Sequence, residues 1–286
     1  TSNSTQTDSA GIRVDNDTQF TAALMSINVN NQVVGRSGLL VEDDSASQRN
    51  VTLGTNGALI GDSYYGAAIS GIGGAVNVEG SSGTVSGARS GIVLAGLNLD
   101  ISVKNLTSVV GGANTTQGSF SIAKSAGILA GSSNGSITIE NIGSVTSAQG
   151  NAIYADARLS DGNGGYSGGG DISIQNVAIP EIYDATTMTT TRSAGGIRAY
   201  SGTGAINIGA DAMVPNSAIG NIFTDGTGIY AKSESGAISI ATLGDITAGR
   251  QGINAIQYGA GLLSIVNDSA IDSGSNGITA RRDSAG

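Results

Sequence analysis

The chain has 286 residues, of which 46 are Gly and none is Cys, His or Trp, and its 13 Lys and Arg against 22 Asp and Glu leave a net charge of -9. Without imidazole or thiolate it has neither the usual zinc ligands nor a Ser-His-Asp or Cys-His nucleophile, and the acid surplus argues against a nucleic-acid surface, whose affinity rests on cations neutralising phosphates. With 39% of residues apolar and only 12% charged, the chain is too apolar for disorder and is expected to fold around small side chains. No run approaches the ~18 apolar residues of a membrane helix, and no signal-peptide pattern opens at Thr1, so the sequence reads as a soluble, excised segment.

Residues 1–10 precede any repeat and are expected to be a poorly ordered terminus. From there a unit recurs, opening on a small residue and an aliphatic: Gly11-Ile12, Gly38-Leu39, Ala68-Ile69, Gly91-Ile92, Gly127-Ile128, Ala152-Ile153, Gly196-Ile197, Gly228-Ile229, Gly252-Ile253 and Gly277-Ile278. Between these starts runs an aliphatic, small polar, aliphatic triplet, in order Ile27-Asn28-Val29, Val51-Thr52-Leu53, Val76-Asn77-Val78, Ile101-Ser102-Val103, Ile137-Thr138-Ile139, Ile172-Ser173-Ile174, Ile206-Asn207-Ile208, Ile238-Ser239-Ile240 and Leu263-Ser264-Ile265. Alternation with period 2 predicts half-buried strands at both places. Asn31, Asn105, Asn141, Asn176 and Asn267 follow the triplet by two residues, where an amide that tolerates the left-handed region suits a corner and a stacked ladder. A looser third strand is read around Val34, Ile60, Val85, Val109, Val145, Ile182, Ile222, Ile246 and Ile271.

Three short strands per unit predict an all-β protein: a right-handed three-stranded parallel β-helix of about nine to ten rungs, forming one solenoid domain over residues 1–286 with loop insertions at its corners. The insertions fall at 111–125, 156–170, 183–193 and 209–218. Inside the first strand, the second inward position reads Val14, Val41, Gly71 and Leu94, then Ala130, Ala155, Ala199, Ala231, Ala255 and Ala280, which predicts a narrower cross-section in the later rungs.

The columns G-[IL]-x-[AV], h-[STN]-h-x-N and G-x-[IV] before the next Gly resemble the passenger domains of Gram-negative autotransporters, the type V secreted proteins, from about Gly11 to Ala280. The resemblance implies secretion or display at the bacterial cell surface through a C-terminal outer-membrane barrel not present in this sequence, and a role in adhesion, aggregation or toxicity. The chain then reads as a segment of a longer passenger.

Gly131-Ser132-Ser133-Asn134-Gly135 and Gly165-Tyr166-Ser167-Gly168-Gly169 match G-x-S-x-G but lack the following helix and any His base, so both read as turns. Gly71-Ile72-Gly73-Gly74 and Gly202-Thr203-Gly204 precede strands where a dinucleotide loop needs a helix N-terminus. Gly164 to Ile172 is similar to a calcium-binding nonapeptide but occurs once, and reads as a corner; Glu42-Asp43-Asp44 reads as a solvated corner. Glu79, Lys104, Glu140 and Gln175 fall one residue past the triplet in consecutive rungs, either a surface ion ladder, the favoured reading, or a carboxylate pair of a carbohydrate-active β-helix. No cofactor and no metal is expected.

Binding is better supported than catalysis. Outward positions past each start run Arg13, Leu40, Ser70, Val93, Leu129, Tyr154, Arg198, Tyr230, Asn254 and Thr279, with Tyr200 beside Arg198; Tyr and Arg are the types enriched at interaction hot spots. The candidate interaction residues are Leu129, Tyr154, Arg198, Tyr200 and Tyr230 on this face and Lys124, Tyr166, Tyr183 and Arg192 in the insertions. The expected partner is a host surface protein, a glycan or another copy of the chain, bound without catalysis; a hydrolase or lyase and a plain spacer or released receptor-binding factor are the alternatives.

Overall fold

The computed structural model describes residues 10–16, 24–43, 49–113, 125–160, 166–184, 187–209 and 217–283. Every regular element among them is a β-strand, and the coil they form is solenoid-like, dominated by one large sheet of parallel pairings. One series of ladders joins the first strands of successive units, from Ala10–Asn16 with Ser37–Asp43 to Ile253–Tyr258 with Ile278–Asp283. A second joins the triplet strands, from Leu24–Val29 with Arg49–Thr55 to Ile238–Thr242 with Leu263–Asn267. Shorter parallel ladders run through Gln32–Gly35, Ala58–Gly61, Thr84–Gly87, Ser108–Gly111 and Ser144–Ser147, and again through Ile222–Thr224, Ile246–Ala248 and Ile271–Ser273. Inward aliphatics of all three series, such as Leu53, Val85, Ile92, Ile139, Ile174 and Ile229, fill one continuous apolar core.

The register corrects the sequence reading where period-2 patterning repeats itself. Ala67, not Ile69, stacks between Leu39 and Ile92, so the third unit opens at Gly66-Ala67; Ile69 then takes the second inward position between Val41 and Leu94, and Ala68, not Ser70, takes the outward one. Met25-Ser26-Ile27, not Ile27-Asn28-Val29, stacks on Val51-Thr52-Leu53, which leaves Asn31 out of the Asn column. In the third series Val33, Leu59 and Ile179 occupy the inward positions read as Val34, Ile60 and Ile182; Val34 is 52% exposed. The first two corrections are shifts of two, which leave an alternating strand's faces unchanged, so neighbouring rungs alone decide them; the third-series corrections are shifts of one and three, which exchange the faces. Asn105, Asn141 and Asn176 do adopt positive φ (58°, 56° and 47°), and Asn176 Nδ2 donates to Asn141 Oδ1 at 3.0 Å.

Two triplet strands are continuous with the first strand before them, Tyr65–Glu79 and Ser90–Lys104. Gly73 and Gly74 bend the former at φ 79° and 87°, which accounts for the Gly71-Ile72-Gly73-Gly74 run without a ligand. With Gly66 in place, nine of the ten units begin on Gly, and at six of them, Gly11, Gly66, Gly91, Gly127, Gly228 and Gly252, the first strand crosses directly above a third-series side chain. A Cβ on Gly91 would lie 2.5 Å from Val109 Cγ1 and 2.8 Å from the Gly127 carbonyl; one on Gly127 would lie 2.7 Å from Val145 Cγ1. At Gly131, by contrast, an added Cβ meets nothing within 4 Å.

Gly91→Ala is therefore expected to lower unfolding stability by about 1–3 kcal/mol through overpacking, whereas Gly131→Ala stays within about 0.5 kcal/mol of the parent or slightly above it. Chemical denaturation of the two variants checks this, and equal midpoints would refute the stacked-corner explanation.

Candidate functional site

Alternation puts the residue after each first-strand start on the side opposite the core, and stacking brings these residues into one column: Arg13, Leu40, Ala68, Val93, Leu129, Tyr154, Arg198, Tyr230, Asn254 and Thr279. Its aliphatic half is not an open face. Leu40, Ala68, Val93 and Leu129 are buried in a second apolar cluster with Tyr64, Tyr65 and Ala126. Arg36 closes it at one side, its Nη2 donating to the Tyr64 hydroxyl at 2.9 Å with the guanidinium 5.1 Å from the ring centroid.

The column's other half is a stack of rings and cations. Tyr154, Tyr200 and Tyr230 alternate between two adjacent columns, with centroids 5.8 Å and 5.5 Å apart, within the range of favourable aromatic pairs. Arg198 lies beside the Tyr200–Tyr230 pair, 5.3 Å and 5.0 Å from their ring centroids, and its Nε donates to the Tyr200 hydroxyl. Arg158 packs on Tyr200 and Tyr166 at 4.2 Å and 4.4 Å. Asp156 anchors it through Nε at 2.7 Å and Nη2 at 2.5 Å, and also accepts from the Tyr154 hydroxyl at 3.1 Å. Burial first, then the Asp156 charge, pushes the Tyr154 phenol well above its ordinary range; burial, then Tyr200, raises Tyr230. For Arg158, burial alone would lower the guanidinium, but hydrogen bonds and charge from Asp156 outweigh it and raise it.

Beside this stack lies a cleft of about 550 Å³ crossing four rungs, lined among others by Arg198, Asp225, Tyr230, Arg250, Gln251 and Asn254. Arg198, Tyr230 and Asn254 are stacked neighbours on the strands. Asp225, Arg250 and Gln251 come from the corners just before the next Gly-Ile start. Asn254 Nδ2 donates to Gln251 Oε1 at 2.7 Å.

Of the residues singled out from the sequence, the structure thus gathers Tyr154, Arg198, Tyr200 and Tyr230, with Tyr166 joined through Arg158. Leu129, Tyr154 and Tyr200 are buried at 5%, 6% and 8% exposure, so they give the site rigidity while Arg198 and Tyr230 give it accessible surface. Tyr166 stands on an antiparallel hairpin, Tyr166–Gly169 folding back on Asn151–Ser160, where the sequence suggested a loose insertion. A second hairpin pairs Ile182–Asp184 with Thr189–Thr191. There Tyr183 and Met188 are 61% and 78% exposed, and Arg192 braces the base through Glu181 at 3.0 Å. This hairpin is remote from the Tyr–Arg stack in the pairing order. Lys124 lies outside the described residues, as do Asp44 and most of the 111–125 and 209–218 insertions.

The four-residue column Glu79, Lys104, Glu140, Gln175 is stacked as expected. Lys104 Nζ pairs with Glu140 Oε1 at 2.7 Å and Asn105 Nδ2 donates to Glu79 Oε1 at 3.0 Å, so each carboxylate serves its neighbouring rung. Ser132 is buried, its Oγ accepting from the backbone NH of Leu99 and of Gly135, a corner staple. Glu42, placed in a strand and not a corner, holds Arg13 at 3.1 Å. Among the described residues no three Asp or Glu side chains converge as metal ligands.

No family model, no curated protein and no solved structure matches the chain. Sequence reasoning missed Tyr64, Tyr65, Asp156, Arg158, Asp225, Arg250 and Gln251. Arg158 was legible as the continuation of the Tyr154 strand, and Gln251 as the residue preceding a Gly-Ile start. Tyr64 carried no periodic signal, because it belongs to a corner.

Two outcomes follow for the stack. Asp156→Ala should cost about 1.5–3 kcal/mol, the worth of hydrogen bonds to a charged group, measured by denaturant unfolding. Raised Tyr154 and Tyr230 phenols mean that the folded chain holds more protons than the unfolded one above pH ~10, the ordinary tyrosine value, so stability falls as pH climbs past it. Tyr154→Phe should flatten that decline; an unchanged slope would remove Tyr154 from its cause.

Proposed function

We propose that the chain is a segment of an autotransporter-like passenger, a right-handed three-stranded parallel β-helix that acts without catalysis as a binding scaffold at the bacterial surface or after release, engaging a host protein, a glycan or another copy of itself. Three parallel ladder series support the three-stranded coil, and the strong preference for right-handed connections between parallel strands supports its hand. The observation that carries the function is the polar cleft set against the Tyr154–Arg198–Tyr200–Tyr230 stack. Its accessible Arg and Tyr are held by side chains that already have their partners, so little ordering is left to oppose binding. The engagement of Glu79 and Glu140 within their own ladder favours binding over hydrolysis. Repetition along a rod would add avidity to weak contacts.

Purified chain is expected to bind mammalian cell surfaces or to self-associate in sedimentation. The double variant Arg198→Ala, Tyr230→Ala should lose on the order of tenfold in affinity, provided its unfolding midpoint shows it folded. No binding and no self-association by the parent would defeat the scaffold reading. An encoding frame with no outer-membrane barrel would defeat the secretion route.

A further inference from the structure

We infer that the cleft between Arg198 and Asn254 is a site for an acidic sugar, a pyranose carrying a carboxylate of the uronate or sialate kind; this rests on the scaffold reading and gives it a ligand. The first ground is charge. The chain carries 22 acids for 13 bases, and Arg13, Arg158, Arg192 and Arg281 each hold a carboxylate. Among the described residues Arg198 and Arg250, which share the cleft, hold none, although Asp225 lines it as well. Arg198 uses only its Nε, on the Tyr200 hydroxyl, so its terminal nitrogens stay available, and Arg250 is exposed. Two uncommitted guanidiniums in an acidic protein define where an anion is welcome, and a planar carboxylate matches the guanidinium fork.

The second ground is the rest of the lining. Asn151, Thr227, Gln251 and Asn254 present amide and hydroxyl groups, each able to donate and accept, as vicinal sugar hydroxyls require. Asn254 already donates to Gln251, and its buried Oδ1 finds no partner among the described residues, which leaves an acceptor at the cleft wall. The half-buried Tyr230 supplies an apolar patch. At about 550 Å³ the cleft falls within the ~300–1,000 Å³ of small-ligand sites, and its four rungs span about 14 Å.

A peptide fits less well. Gly195–Ser201 is paired on both edges, as is Ile229–Ser233, so no strand can add to the wall, and recognition must run through side chains. The Arg198 guanidinium, held by the Tyr200 hydroxyl and packed beside two rings, is set before the ligand arrives.

Calorimetric titration of the intact chain with hexagalacturonate and with sialyllactose tests this, against methyl-esterified hexagalacturonate and lactose as neutral counterparts and hexaglutamate as an acidic peptide. At least one acidic sugar is expected to bind on the order of tenfold tighter than its neutral counterpart. Arg250→Ala should abolish that margin and Arg250→Lys restore part of it, while Arg13→Ala, in the first unit of the ladder, should leave it unchanged. No binding of either acidic sugar, equal binding of the neutral forms, or indifference to Arg250→Ala overturns the inference; equal or tighter binding of hexaglutamate makes the ligand an acidic peptide instead. Cell-surface binding that persists without sugar binding removes only the ligand assignment, whereas loss of both removes the scaffold reading with it.

Discussion

Parallel strands stacked about 4.8 Å apart impose one condition on everything else in this molecule: whatever a residue does in one rung, its counterparts above and below must tolerate at that distance. The glycine column is the direct result. Where the first strand passes over a third-series Val or Ile, a Cβ would sit well inside van der Waals contact, at 2.5 Å from Val109 in the case of Gly91, and the same holds at Gly11, Gly66, Gly127, Gly228 and Gly252. Stability is accordingly a sum over neighbouring rungs, with inward aliphatics doing most of it.

The same spacing shapes the surface. Like charges cannot be stacked cheaply, so Glu79, Lys104 and Glu140 alternate, and Asn141 and Asn176 share a hydrogen bond across rungs. On the first-strand face, spacing allows a more concentrated arrangement: three tyrosines alternate between columns so that rings and guanidiniums interleave diagonally, within the reach of long side chains. The face is aliphatic and buried from Leu40 to Leu129 and aromatic and cationic from Tyr154 to Tyr230.

Cleft and stack together show how a repetitive wall acquires a single site. Columns alone would give a uniform stripe. Corners break the uniformity, since Asp225, Arg250 and Gln251 enter from the turns before each start and differ from rung to rung. The strands hold Arg198, Tyr230 and Asn254 fixed against them, which is the usual division of labour between a rigid scaffold and its connections.

The sequence by itself determined the parallel stacked architecture, the inward faces of the first two strand series, the αL asparagines at Asn105, Asn141 and Asn176 and the Tyr154–Arg198–Tyr230 column, because each is a local alternation repeated many times. It could not determine register where alternation is degenerate, as at Ala67-Ala68-Ile69 and Met25-Ser26-Ile27, since a shift of two residues preserves the faces and only stacked neighbours distinguish the choices. Nor could it show that Leu129, Tyr154 and Tyr200 are buried, or that Asp156 and Arg158 lock the stack. Those facts depend on Tyr64, Tyr65 and Tyr166, which arrive from a corner and from a hairpin that folds back. Burial and pairing of an outward side chain are set by what crosses over it, and that is decided only when the coil is assembled.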